Sequence, residues 1–200
     1  MMAGDSADCP CSPETPPVTD TPTLTPTAGP AAANVTVGFL SVVTDSSGVY
    51  GGYLLTNAWG RPLEFRLSTA VQPNRVQQIL YGPTLAEYLH ADLIGKTLVE
   101  KAIAAPGLIV ADSLAALGLW SRLGVMTVSV APAEGPTVRS LTTPRSPVPL
   151  SYPTKYAGEL GALTARLEQI DPAVDLSEPF ARIREAMTEA RKLGVANRAA

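Results

Sequence analysis

Apolar positions along this chain follow two different periods, and the change from one to the other marks out its elements. The run NVTVGFLSVVT (34–44) is β-branched and apolar, DSSG (45–48) carries turn chemistry, and VYGGYLLT (49–56) resumes the strand pattern. Leu63, Phe65 and Leu67 then alternate with Pro62, Glu64 and Arg66, which predicts a strand with one buried and one wet face. Three such strands joined by short turns make an antiparallel meander. The second turn, Asn57-Ala58-Trp59-Gly60, fits a type I turn closed by a glycine bulge, with Gly60 at positive φ. Asn57 and Gly60 serve that turn, whereas Trp59 does not. An indole at a turn tip either folds back on its own sheet or a nearby helix, or acts as a partner contact, a role in which tryptophan is enriched.

Beyond residue 72 the period becomes helical. Pro73 and Asn74 open a short helix through Tyr81, and Gly82-Pro83-Thr84 stops it and starts another that runs to Ala105. That second helix carries Tyr88, Ala91, Ile94, Leu98, Val99 and Ala102 on one side and Leu85, Leu89 and Leu93 on the adjoining sector, so it must be covered on more than one side. Gly95, on the larger apolar face, permits close approach to strands. GLIVAD (107–112), SLAALGLWSRLG (113–124) and VMTVSV (125–130) read as strand, helix and strand at the spacing of a parallel crossover. Gly51 and Gly52 lie inside a strand, where glycine marks a bulge or close packing rather than a phosphate-cradling loop.

The later segments divide by composition. Six prolines between Ala131 and Pro153 make 131–154 a linker or a surface strap. Beyond that stretch, Tyr156, Leu160, Leu163, Leu167 and Ile170 are spaced 4-3-4-3, and Leu176, Phe180, Ile183, Met187 and Ala190 repeat that spacing. Ser177 is the expected N-cap of the second helix, with Pro179 in its first turn and Gly194 past its end. The short connection DPAVD (171–175) predicts an antiparallel helical hairpin over 155–194. Its narrow apolar seam must close on its twin, on the sheet domain or on another chain. Residues 1–33, rich in proline and threonine, have little to bury and are expected to form a disordered tail, with Thr-Pro pairs at Thr15, Thr21 and Thr25; residues 195–200 form a second tail. The whole is an α+β (mixed α/β) chain: a sheet domain at 34–130 holding a meander and a β-α-β crossover with covering helices, then the hairpin.

Composition narrows the classes of function. In 200 residues, 46% are hydrophobic and 16% charged, ordinary values for one soluble domain with appendages. A net charge of -3 and a pI near 5.2 give no basic footprint, which disfavours a nucleic-acid partner. Neither a secretory signal nor an apolar run of membrane-spanning length is present, so a cytoplasmic protein with no membrane partner is expected. Cys9 and Cys11 are separated by one residue and have no second pair to complete a zinc site. They read as free thiols, and no cofactor or metal is expected.

Few residues suggest chemistry. His90 falls on the polar side of the long helix and reads as a surface histidine. Asp92, Lys96 and Glu100 are spaced as an ion-pair ladder. Asp112 ends the strand LIVAD ahead of a helix, the position where open α/β sheets gather ligands and equally where an N-cap belongs, a role Ser113 shares.

The order of elements resembles the RNase H-like fold, and LIVAD looks like the strand of such nucleases that ends in a metal-binding aspartate. That resemblance covers about half the chain and implies metal-dependent cleavage using Asp112 with Glu87 or Glu100. VTVGFLSVV carries no acid before Asp45, which removes one bridging ligand from a two-metal site. A β-meander sensor of profilin or roadblock type is a comparably coarse alternative. GGYLLTNAWGRPLEF, LYGPTLAEYL, LIGKTLVE and LSEPFARIREA resemble segments of uncharacterised bacterial proteins that share a G-G-x-L-x-x-N-x-x-G-x-P-L-E-F stretch. This second resemblance carries over no functional residues.

The expectation is therefore a non-enzymatic binding or scaffolding module. It would associate with a protein partner or with itself through Trp59, Arg61 and the seam Leu160, Leu163, Leu167, Phe180, Ile183 and Met187. Metal-dependent cleavage at Asp112 is the alternative.

Overall fold

Alternation through β1 (Thr36–Asp45) sends Phe39 to one side of the sheet and Leu40 to the other, and both are fully buried. The computed structural model describes residues 35–133 and 135–194, so the expectations for the two tails, their threonines and the two cysteines lie outside the described residues. β1 pairs antiparallel with β2 (Gly48–Asn57), which pairs antiparallel with β3 (Pro62–Leu67). On its other side β1 runs parallel to β4 (Leu108–Ala111), and β4 parallel to β5 (Thr127–Ser129). The meander and the parallel crossover are thus both present, and the fold is mixed α/β.

Between the meander and β4 the chain forms α1 (Arg75–Tyr81), α2 (Leu85–Glu87), π-helical turns at Tyr88–Gly95 and α3 (Lys96–Glu100). Asn74 caps α1 reciprocally with Gln77. After β4, a 3-10 turn leads into α4 (Leu119–Leu123), which Gly124 closes in the left-handed region. Leu89, Ala91, Ile94, Leu98, Val99 and Leu119 cover one face of the sheet, over Leu40, Tyr53, Leu55, Ile109 and Ala111.

The stretch expected as a linker instead completes the sheet. β6 (Val138–Leu141) and β7 (Leu150–Pro153) extend it to the order β3-β2-β1-β4-β5-β7-β6. Their prolines are confined to the connections and to the end of β7, where no ladder N–H is needed. Leu150 and Tyr152, apolar at alternate positions of the sequence, are the signal for that strand, and Ser151 between them is buried with them.

The two C-terminal helices are present, and of the three coverings open to their seam the sheet takes it. α5 (Leu160–Glu168) and α6 (Pro179–Lys192) form, and their seam closes on the second face of the sheet, over Val37, Phe39, Leu54, Leu108, Val110 and Val128. Leu163, Leu167, Phe180, Ile183 and Met187 are buried within the single chain, and Leu160 is half-buried against the same core. Phe39 and Phe180 meet edge to face with ring centroids 6.0 Å apart. Burying such side chains stabilises by about 2 kcal/mol each, so the seam belongs to folding and is not free for a partner. Nor does Ser177 cap α6: its N–H and hydroxyl both donate to Asp175, and the helix begins at Pro179.

Two adjacent glycines let both layers approach. A Cβ on Gly51 would lie 2.5 Å from Ile94 Cγ2 and 3.2 Å from the Ser41 carbonyl oxygen; one on Gly52 would lie 2.7 Å from Met187 Sδ and 2.8 Å from Ile183 Cγ2. One further expectation fails at β3. Leu63 and Phe65 remain 46% and 37% exposed because α6 and the α3 layer dock on β1 and β2 and leave the outermost strand at the margin.

Removing residues 154–194 should unfold the sheet rather than leave it intact, since the deletion bares an entire core face; far-UV and near-UV circular dichroism of the truncated chain check this. Gly51→Ala should cost more stability than Gly52→Ala, about 2 against about 1 kcal/mol in urea titrations. Beneath Gly51 the obstacles are the Ile94 branch and a backbone carbonyl that cannot move without the strand, whereas those beneath Gly52, Ile183 and Met187, are side chains on one helix that can shift together.

Candidate functional site

At the carboxyl end of the parallel strands Asp112 holds three elements together. Its Oδ2 accepts from Ser41 Oγ of β1 at 2.5 Å and from Arg184 Nη2 of α6 at 2.9 Å, while Oδ1 accepts from the Val42 N–H at 3.2 Å. The side chain is only 8% exposed. Asp112 is therefore a tie between β1, β4 and α6 and does not cap the following turn; Ser113 does, accepting from the Ala115 N–H at 3.3 Å.

Beside it, the π-helical turns bring His90 to Ser113. These wider turns depend on Gly95, whose Cβ would lie 2.6 Å from the His90 carbonyl oxygen. His90 Nδ1 lies 2.9 Å from Ser113 Oγ, and burial holds the imidazole below its ordinary value of 6.5 while the Asp112 charge pulls the other way. Ser113 uses a lone pair on the Ala115 amide, so its hydroxyl proton is free to be donated to the neutral ring. The expected surface histidine is half-buried and partnered.

The acids of the cleavage reading are not gathered. Glu87 pairs with Arg122 at 3.0 Å, Glu100 with Lys96 at 3.8 Å, and Asp112 is occupied as described. Asp92, expected on the ladder with Lys96, turns instead to Arg122. Among the described residues no three histidine, cysteine, aspartate or glutamate side chains cluster in a way that would hold a metal ion.

The opposite end of the sheet carries a different kind of surface. Asn57 Oδ1 accepts from the Trp59 and Arg61 N–H groups at 3.1 and 3.0 Å, Gly60 N–H donates to the Asn57 carbonyl at 3.0 Å, and Gly60 adopts φ 71°. Ala58 is buried, and its carbonyl accepts from the Asp171 N–H at 2.9 Å, which fastens the turn to the α5–α6 connection. On this clamped turn Trp59 is 52% exposed and Arg61 is exposed. Together with Asp171, Ala173 and Val174 they line a shallow depression of about 520 Å³.

Next to it runs the open edge of β3, with a groove of about 630 Å³ lined by Phe65 and Leu67 of the strand, Leu93, Leu98 and Lys101 of the helical layer on one face, and Ala190 of α6. Of the residues expected to make contacts, only Trp59 and Arg61 are available. The exposed edge was missed because strand alternation predicts a buried face without saying where the covering helices end. The chain matches no protein-family model, and no curated protein matches it.

Asp112→Ala should destabilise by about 2 kcal/mol, because it strands the buried Ser41 hydroxyl. Arg184→Ala should cost under about 1 kcal/mol, the guanidinium being largely exposed; urea titration of both variants tests the contrast. An unfolded chain takes up a proton at His90 near its ordinary value while the folded protein resists until lower pH. Its contribution is thus complete above about pH 6.5 and is lost as pH falls through the folded value. In thermal melts between about pH 7.5 and 5.5, His90→Gln should flatten this decline.

Proposed function

We propose that the protein is a non-enzymatic binding module that engages a protein partner through the turn tip Trp59–Arg61. One observation carries this reading: a half-exposed indole stands on a turn whose backbone is fixed by Asn57, Gly60 and the buried Ala58. Leaving an indole wet forgoes a few kcal/mol of burial, and a rigid mount means that little entropy is lost when a partner covers it. Arg61 beside it adds a planar cation suited to an acidic or carbonyl-rich rim.

The C-terminal seam is spent on the protein's own core, so the contact moves from the helices to the turn. Cytoplasmic placement is part of the proposal. Among the described residues no helix is long and apolar enough to cross a membrane. Cleavage at Asp112 is not favoured, since its carboxylate oxygens are already engaged by Ser41, Val42 and Arg184.

Quantitative capture from native extract on the immobilised full chain tests the reading. Trp59→Ala should lower recovery of the bound partner at least about tenfold, equivalent to about 1.4 kcal/mol, with an unchanged melting temperature. In a Trp120→Phe background Trp59 is the only remaining tryptophan, and its emission should shift to the blue when the isolated partner is added. Equal recovery by the wild type and Trp59→Ala, or an indole that stays wet in the complex, would remove the reading.

A further inference from the structure

We propose that two copies of this chain pair edge to edge through β3, antiparallel and centred on Phe65, joining their sheets into one. This goes beyond the Trp59 contact and stands without it.

The direction of the β3 amides sets the first condition. Ser68 N–H donates to the Gly51 carbonyl at 2.8 Å, and the register pairs Arg66 with Tyr53 and Glu64 with Leu55. With the two-residue period of a strand, Arg66 and Glu64 turn their backbone groups to β2, and Phe65 and Leu67 turn theirs to the open edge, while Leu63 falls in the register shift. These are backbone donors and acceptors with no strand beyond them in the sheet.

Side chains set the second. A two-fold axis at Phe65 places the two Phe65 residues opposite each other and Glu64 opposite Arg66 of the second copy. Phe65 lies on the α6 face, directly across from the buried Leu54, so pairing continues an existing apolar layer. On the other face Glu64 Oε1 bridges Arg66 at 2.6 Å within the chain, while its Oε2 accepts from the Ile103 N–H at 2.7 Å. A second copy adds the same pair in reverse, closing a ring of alternating charge. A strand edge protected against its own copy carries like charges or an interruption at its centre. Here Pro62, Leu63 and the register shift are confined to one end, and the ladder from Glu64 to Leu67 is regular.

The third condition is room. The groove along this edge has walls from both helical layers, with Leu93 and Leu98 on one side and Ala190 on the other, which is the shape a flanking strand fills. Only one short strand from each copy takes part, so the interface is at the small end of stable contacts and the association should be weak to moderate.

Sedimentation equilibrium of the full chain, up to about 200 µM, should show a reversible dimer. Arg66→Glu sets acids against acids, Glu64→Lys sets bases against bases, and each should weaken the dimer at least tenfold while thermal melts confirm folding. Mixing the two variants should restore a heterodimer. Hydrogen exchange supplies a readout at the backbone: on dilution to monomer the Phe65 and Leu67 amides should exchange quickly, on concentration they should slow, and Glu64 and Arg66 should stay protected throughout. A monomeric wild type, a dimer unaffected by both charge variants, or a mixture that fails to pair overturns the proposal. So does a dimer lost in Trp59→Ala but kept in both charge variants, since a second copy would then be the partner at the turn. Trp59→Ala that loses its partner yet still dimerises leaves both readings standing, and loss of the dimer alone removes only this one.

Discussion

Everything in this molecule depends on how closely two helical layers can approach the β1–β2 ribbon. Gly51 and Gly52 point to opposite faces, and each occupies a spot where a methyl group would collide with the layer above it, Ile94 on one side and Ile183 and Met187 on the other. Close approach is what lets dispersion contacts and apolar burial add up on both faces of a single sheet. The same constraint recurs at Gly95, where the helix presses on Leu40 of β1 and Leu119. The wide π-helical turns there carry His90 to Ser113.

Once both layers are seated over β1 and β2, the polar ties at the strand ends fall into place. α6 reaches the sheet with two arginines two turns apart, Arg184 on Asp112 and Arg191 on Asp45, while Phe180, Ile183 and Met187 on its inner side fill the core. Asp45 is held well below the usual carboxylate range, first by the Ser47 hydroxyl and amide and then by Arg191 and Tyr50. Arg191 also stacks over the Tyr50 ring at 4.2 Å. At Asp112, an acid that looks like a metal ligand in the sequence is thereby converted into a fastening. The acids that would have shared an ion with it, Glu87 and Glu100, are engaged with Arg122 and Lys96.

Seating the helices centrally leaves the margins uncovered, and function is argued from those margins. At β3 and its entry turn the chain keeps Trp59, Leu63 and Phe65 accessible on backbone that is already rigid. Rigid apolar groups on ordered backbone are inexpensive to bury a second time, because the ordering has been completed by folding.

Local chemistry was legible in the sequence alone: the three-strand meander, the Asn57–Gly60 turn, the doubly buried LIVA strand, the start of α1 at Asn74 and the two amphipathic C-terminal helices all come from short-range pattern. Short-range pattern states that a face must be covered, but not by what. Tertiary structure alone decided that the seam of Leu163, Leu167, Phe180, Ile183 and Met187 closes on its own sheet and that the proline-rich stretch supplies two further strands. It also decided that Asp112 meets Ser41 and Arg184, residues 71 and 72 positions away in the chain. Such pairings depend on which apolar faces find each other across long loops, and periodicity within one segment contains no information about its distant partner.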